Sequence, residues 1–251
     1  MPRSHSRLHC RPQRVVYDRV MYELWIANKN YSSWSLRPWV LMRELGVPFI
    51  EHLVHFGDAT AWDALRRISP TGKVPCLIDQ HGAGASVVWD SLAIAEYLAE
   101  RHPTVWPSDP AARAWARSAA AEMHSGFGEL RQRCAMSCGV RVRLYESPAP
   151  LRQDIARIGA LWNDGLHRHG GPFLAGPAFT AVDAFFAPVA FRIQTYDLAL
   201  DSRSGTYANR LLDLPSMREW YAAAIAETQR DEPHELEILQ MGTKTLDLRA
   251  R

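Results

Sequence analysis

Along the chain, hydrophobic and polar positions change rhythm at a cluster of prolines. Before it, short apolar runs of strand length alternate with helical spacing. After it, only helical spacing recurs convincingly. Tyr22–Ala27 and Phe49–Val54 read as strands. Between them Ser35–Leu45 reads as a helix, stopped by Gly46 with Pro48 just beyond. Pro38 falls in the first turn of that predicted helix, where a missing N–H costs nothing. A short helix is expected around Ala61–Ile68. Short strands are expected at Cys76–Asp79 and Ser86–Trp89, on either side of the Gly82-Ala83-Gly84 turn. Ser91–Glu100 places Leu92, Ala95, Leu98 and Ala99 on one helical face. The order β-α-β-α-β-β-α over residues 21–101 describes a small α/β sandwich.

Pro103, Pro107 and Pro110 mark residues 102–110 as a linker. Residues 111–230 read as an all-helical domain. Helices are expected over Ala111–Met136, over Leu151–His169, over Ala184–Leu198 and over Pro215–Glu227. Thr180-Ala181-Val182-Asp183 has the form of a capping box ahead of the third of these, and Pro188 should kink it. Residues 231–251 are taken as a tail. The fold class is therefore α/β followed by all-α, without repeats or low-complexity tracts.

Bulk properties narrow the function little. A net charge of +2 is too small to argue for nucleic acid or a membrane surface. No apolar run approaches the roughly 18–20 residues of a membrane span. Cys10, Cys76, Cys134 and Cys138 show no paired framework, which points to a reducing, cytoplasmic setting. Cys134 and Cys138 lie one helical turn apart, but two ligands do not make a zinc site, and no metal is expected. Residues 1–20 carry Arg3, Arg7, Arg11, Arg14 and Arg19 against Asp18 alone, with no apolar core for a secretory signal. An Arg-rich start is also compatible with a transit peptide. The reading adopted is a disordered extension or a mis-assigned start, with Met21 beginning the folded chain.

The segment Tyr31-Ser32-Ser33-Trp34-Ser35-Leu36-Arg37-Pro38-Trp39 carries the most chemistry. It delivers hydroxyls to a helix start, where unpaired backbone N–H groups and the positive dipole end favour an anion. Taken alone, the serines are better read as plain helix caps.

Four motifs in order resemble the soluble glutathione transferase family. They are Ser32-Ser33-Trp34-Ser35; Ser69-Pro70-Thr71-Gly72-Lys73-Val74-Pro75-Cys76-Leu77; Trp89-Asp90-Ser91 through Leu98; and Phe173-Leu174-Ala175-Gly176 followed by Thr180…Asp183. The resemblance covers roughly residues 21–230 and looks most like the serine-type zeta class. It departs at the first motif, where two extra residues separate strand from serines and Trp34 stands where zeta enzymes usually carry cysteine. It implies a thioredoxin-like domain that binds glutathione as co-substrate, an all-helical second domain, and a homodimer.

The same resemblance implies roles for individual residues. Ser32, with Ser33 second, would donate a hydrogen bond to the glutathione thiolate, and Ser35 would cap the helix or help bind. Val74-Pro75 would be a cis-proline turn whose backbone pairs with the cysteinyl part of the peptide. Asp90 would meet the γ-glutamyl ammonium and Ser91 the carboxylate beside it, unless both simply cap a helix. Lys73 reads as a solvated charge. His52 and His55 are loose candidates for the glycyl end. His124, Met123, Phe127 and Trp115 would line the cleft or pack, while Trp162, Trp220 and Phe185-Phe186 read as core. The expected reaction is attack of the thiolate on a small electrophile. Glutathione-dependent isomerisation of the maleylacetoacetate type stays open, as does a non-catalytic binding module. A thiol–disulfide reductase is disfavoured, since no cysteine stands at the helix start.

Overall fold

A computed structural model describes residues 21–81 and 84–249. The expectations for residues 1–20, and for Cys10 among them, lie outside the described residues.

In the first domain the strands β1 (Tyr22–Ala27), β2 (Phe49–Val54), β3 (Cys76–Asp79) and β4 (Ser86–Val88) form one sheet in the order β2-β1-β3-β4. β1 runs parallel to β2 and antiparallel to β3, so Leu24 stands between Glu51 and Leu77. Three helices complete it, α1 (Ser33–Glu44), α2 (Ala59–Arg66) and α3 (Ser91–Ala99). Leu24 and Ile26 are fully buried, and Leu36, Trp39, Val40 and Leu41 of α1 are buried with them. α1 is buried nearly all round, its polar Ser33, Ser35 and Arg37 included, because it lies between this sheet and the second domain.

One reading of α1 is corrected. The helix begins at Ser33 rather than Ser35, so Pro38 is interior and not in the first turn. Its ring removes the donor that residue 38 would offer to the Trp34 carbonyl.

After a single 3-10 turn at Pro103–Val105, the second domain is helical as expected, with departures of detail. It contains α4 (Pro110–Ser125), α5 (Gly128–Arg133), α6 (Ala149–Arg168), α7 (Ala181–Tyr196), α8 (Ser202–Asp213), α9 (Pro215–Ala226) and α10 (Glu232–Met241). The single helix expected over Ala111–Met136 is broken. Phe127 takes a left-handed conformation (φ 60°), and a Cβ on Gly126 would lie 2.8 Å from the Glu122 carbonyl oxygen. The break turns the Phe127 ring inward, where it is buried.

The domain also holds two strands that the helical reading did not contain. β5 (Val140–Leu144) pairs antiparallel with β6 (Gly242–Asp247). Val140 and Val142 point into the core while Arg141 and Arg143 point outward, an alternation that marks a half-buried strand. The last described residues are thus a helix and a strand folded back on the domain. Trp162, Trp220, Phe185 and Phe186 are buried, as read from the sequence.

Candidate active site

The start of α1 and the turn before β3 meet the helical domain across a cleft, and Pro75, Asp90 and Ser91 stand outside the wall of its cavity. A cavity of about 310 Å³ opens there, with Ser32, Ser33, Trp34, Lys73 and Val74 on one side. A larger cavity of about 540 Å³ lies against α6 and holds none of the expected site residues. The smaller cavity is the one that the expected residues Ser32, Ser33 and Val74 line.

At the start of α1, Ser32 is the N-cap by backbone geometry, and its carbonyl accepts from Leu36 N–H at 3.2 Å. Its side chain caps nothing. Ser32 Oγ donates to Ser35 Oγ (2.7 Å), which also accepts from Ala27 N–H (3.1 Å). Ser35 is therefore not the cap expected of it. It is fully buried in the first turn, outside the cavity wall, and acts on Ser32 from behind. Ser33 Oγ accepts from Arg192 Nη2 at 3.3 Å, which leaves its own O–H free.

The loop that carries these serines is held by the other domain. Buried Glu227 accepts from Lys29 N–H (2.6 Å), Asn30 N–H (3.3 Å) and Asn28 Nδ2 (3.4 Å). Burial pushes its carboxyl up while those bonds pull it down. Trp220 Nε1 donates to the Lys29 carbonyl at 2.8 Å, and Asn30 bonds Ser137 and Gly139. Asn28, Lys29 and Asn30, between strand and serines, are thus clamped rather than looped out.

At the start of α3, Asp90 is the N-cap, accepting from Leu92 N–H at 2.9 Å. Its other oxygen lies 3.3 Å from His124 Nε2. Ser91 is buried and accepts from Arg37 Nη1 at 3.4 Å. Val74-Pro75 is cis, as the resemblance implied, and Val74 faces the cavity. Lys73 is exposed at the rim.

Other candidates stand elsewhere. His52 pairs with Glu23 (2.9 Å) and stacks on Trp25, and His55 meets Asn28 (3.0 Å). Neither lines the cavity, although the adjacent Phe56 does. His124 lies edge-on to Trp34, and burial holds its imidazole below the usual histidine range. Met123 is buried, and Trp115 donates to Asp164 at 2.8 Å.

Sequence reasoning missed the arginines. Arg37 lies over the Trp34 ring at 4.2 Å and Arg131 at 4.9 Å. Arg131 donates to the carbonyls of Met123, His124 (3.3 Å) and Gly126 (2.9 Å). Arg192 donates to the Cys134 carbonyl as well as to Ser33. Among the described residues none of these arginines has a carboxylate within ion-pair distance, and Arg37 Nε is buried without a partner. Burial, then the neighbouring guanidinium of Arg131, pushes Arg192 down to about 10. Arg37 is shifted the same way for the same reasons.

The family pattern described as "Glutathione S-transferase, N-terminal domain" matches residues 31–101, and that described as "Glutathione S-transferase, C-terminal domain" matches 99–223. The chain belongs to the glutathione S-transferase family. It is 26% identical over 183 residues to a probable maleylacetoacetate isomerase of Caenorhabditis elegans, covering 72% of this chain and 81% of that one. It is 30% identical over 125 residues to a zeta-class glutathione S-transferase of Euphorbia esula, covering 49% and 54%. Among solved structures, a Burkholderia glutathione transferase homologue with bound glutathione superposes with a TM-score of 0.58 at 21% identity, over 81% of this chain and 97% of that one. A tau-class enzyme from mango gives 0.62 at 18%, over 81% and 96%. These superpositions establish the shared fold: a thioredoxin-like domain followed by a helical one.

Beyond the residues matched by the two family patterns, α10 supplies a further wall of the cavity. α10 places His234 and Glu237 on the cavity, and the His234 ring stacks between Tyr31 (5.0 Å) and Phe56 (4.7 Å). Tyr31 OH donates to Glu235 (2.7 Å), and Arg249, just past β6, bonds both Glu235 and Tyr31. Those contacts draw the Glu235 carboxyl down to about 2, against the pull of burial. Burial, then the bond to Glu235, raises the Tyr31 phenol, and because its O–H is given to Glu235 it does not compete with the serines as a donor into the cavity. Among the described residues no group of three or more His, Cys, Asp or Glu is placed to hold a metal. Nor is any helix there long and apolar enough to cross a membrane.

Proposed function

We propose that this protein is a glutathione transferase that ionises the thiol of glutathione at the start of α1 and presents it to a small electrophile. The carrying observation is that Ser32, Ser33 and Val74 line one cavity, and that Arg37, which lies over Trp34 on its wall, bonds Ser91 at the start of α3. On this reading Val74 and Pro75 align the peptide backbone, while Asp90 and Ser91 hold the γ-glutamyl end. Ser32 or Ser33 donates to sulfur, and Ser35 supports Ser32.

Free thiols titrate near pH 8.5, so lowering the pKa by two units requires about 2.7 kcal/mol. A charge-assisted hydroxyl contributes about 1–3 kcal/mol and a helix start about 0.3–1 kcal/mol, which together suffice. The serine acts as a donor, and no base is required. A homodimer and a cytoplasmic setting accompany this proposal.

A second reading is glutathione-dependent cis–trans isomerisation of an acidic substrate. It is favoured by Arg131, a cavity cation with no carboxylate within ion-pair distance among the described residues, Asp154 acting on it only from further off, and by the relative named as a probable maleylacetoacetate isomerase. A disulfide reductase fits worse. Cys76, Cys134 and Cys138 are buried, and burial pushes the Cys134 thiol up to about 12.

Retention on immobilised glutathione, followed by conjugation assays with aryl halides and isomerisation assays with a maleyl-type diketo acid, tests these readings. Turnover in the first assay supports the transferase, and turnover confined to the second selects the isomerase. Retention without turnover across varied electrophiles leaves a binding module, and no retention overturns the site. Disulfide reduction with hydroxyethyl disulfide as the preferred substrate would restore the third.

A further inference from the structure

We propose that Arg192, on α7, is a positioning residue that holds the glutathione thiolate at the start of α1 by acting through Ser33. This inference rests on the glutathione reading of the site and names which charge and which hydroxyl complete it.

The hydrogen bonds at the two serines run in opposite senses. Ser32 gives its proton to Ser35, whose oxygen is fixed by the Ala27 N–H. Ser33 receives a proton from Arg192 Nη2. A hydroxyl that accepts from a guanidinium must direct its own O–H elsewhere, and the cavity is the open side. Ser33 is thus polarised as a donor into the space where a thiol would lie.

Arg192 is an unbalanced cation. It is 5% exposed, and its other donation goes to the neutral Cys134 carbonyl. The charged and titratable groups around it come from each packed element. Arg37 is on α1 and Arg131 on α5, Tyr196 shares α7, and Cys134 and Cys138 lie between α5 and β5, while Lys73, His234 and Glu237 line the same cavity. Glu237 is the one acid among the described cavity-lining residues, against Lys73, Arg131 and Arg192. Buried charge of one sign is normally balanced by a partner or a ligand. The thiolate supplies that balance without any change of side chains, since deprotonation of the bound thiol creates the anion in place.

The step is a proton loss. The S–H proton leaves to solvent, the electron pair stays on sulfur, and the Ser33 O–H and the Arg192 charge behind it stabilise the product anion. An opposite charge within about 4–6 Å commonly shifts such an equilibrium by about 1–3 pKa units.

The test is titration of bound glutathione, followed by thiolate absorbance, in the full chain and in Arg192→Gln. The expected result is a rise of about 1–2 units in the bound thiol pKa. Turnover near neutral pH should fall about ten- to a hundredfold and recover as pH rises. S-methylglutathione has no proton to lose, so its affinity should stay within about twofold. Arg192→Lys retains the charge and should show a smaller rise, and it keeps the measurement available if the glutamine variant fails to fold. Ser33→Ala combined with Arg192→Gln should shift the pKa little more than the larger single change.

An unchanged thiol pKa in Arg192→Gln, with a lowered value in the parent chain, overturns the proposal while leaving the glutathione site intact. A parallel loss of S-methylglutathione affinity also overturns it, because the residue is then structural. A parent chain that binds glutathione without lowering its pKa, or does not bind it, removes the underlying reading and this inference with it.

Discussion

The starts of α1 and α3 are joined through Arg37, which lies over Trp34 and bonds Ser91, and each places a serine at its first helical position. Their surroundings differ. At α3 the cap is Asp90, two residues from the N–H it binds, and it is exposed to solvent. At α1 the serines are buried, their side chains cap nothing, and their partners are Ser35 and the distant Arg192. One helix start is finished by its own sequence. The other is finished by a second domain, which also clamps the preceding loop through Glu227 and Trp220. Affinity for the peptide should therefore respond to changes at α3, and ionisation of its thiol to changes at α1 and in the helical domain.

The largest effect expected from testing that division is on α7, which brings Arg192 to α1. Asp183 at its start is fully buried and accepts from Leu174 N–H (3.0 Å), Thr180 N–H (2.9 Å), Thr180 OH (3.3 Å) and Tyr207 OH (2.8 Å). Asp183→Ala removes the cap and leaves buried donors without acceptors, a loss of about 3–5 kcal/mol in unfolding free energy. Burial also pushes the Asp183 carboxyl up to about 6, even against those bonds. The native state therefore keeps its proton to higher pH than the unfolded chain. The stability this provides is full below about pH 4 and is lost as pH rises through about 6. The cost of Asp183→Ala should accordingly be smaller near pH 8 than near pH 5, by about 1–2 kcal/mol. Urea unfolding at the two pH values measures both. If α7 only positions the α1 end of the cleft, the folded fraction should bind S-methylglutathione normally. A specific loss of that affinity would dissolve the division between the two helix starts.

Next in size are the hydroxyls themselves. Ser33→Ala should raise the bound thiol pKa by about 1–2 units, equivalent to about 1–3 kcal/mol. Ser32→Ala should shift it less, because its proton is turned to Ser35. The family resemblance put Ser32 first; the direction of the hydrogen bonds reverses that order. A larger shift from Ser32→Ala would mean that thiol binding turns the Ser32 hydroxyl away from Ser35 and into the cleft.

The two helix starts also show what a sequence read alone discloses. The order of elements along the first domain and the α3 cap depend on neighbours a few residues apart, whereas the cis turn at Val74-Pro75 was implied by the resemblance alone. Ser35 was misread because an N-cap is normally recognised by its hydroxyl, whereas here the backbone turns at Ser32 and the hydroxyl of Ser35 faces inward. Arg131 and Arg192 carried no legible signal. An arginine within an apolar helix looks the same in sequence whether it reaches solvent or a cleft, and the partner of Arg192 is 159 residues away. β5 was legible in principle, since Val140-Arg141-Val142-Arg143 alternates cleanly, but its partner β6 lies in what reads as a tail.

The smallest effect should come from Asp90, where cap and ligand contact are superimposed. Asp90→Ala removes a cap worth about 0.5–2 kcal/mol and an exposed charge worth about 0.2–1 kcal/mol to an ammonium group. Asp90→Asn separates the two, because asparagine caps as well as aspartate but brings no charge. If the carboxylate meets the γ-glutamyl ammonium, Asn should restore thermal stability yet leave the glutathione KM raised about two- to fivefold, within that electrostatic range. The bound thiol pKa should be unchanged in either variant, since Asp90 is not among the contacts of Ser32, Ser33 or Ser35. Full recovery of KM by Asn would reduce Asp90 to a cap. A shift in thiol pKa would show that the α3 start reaches the sulfur after all, through the Arg37 guanidinium that bonds Ser91 and lies over Trp34.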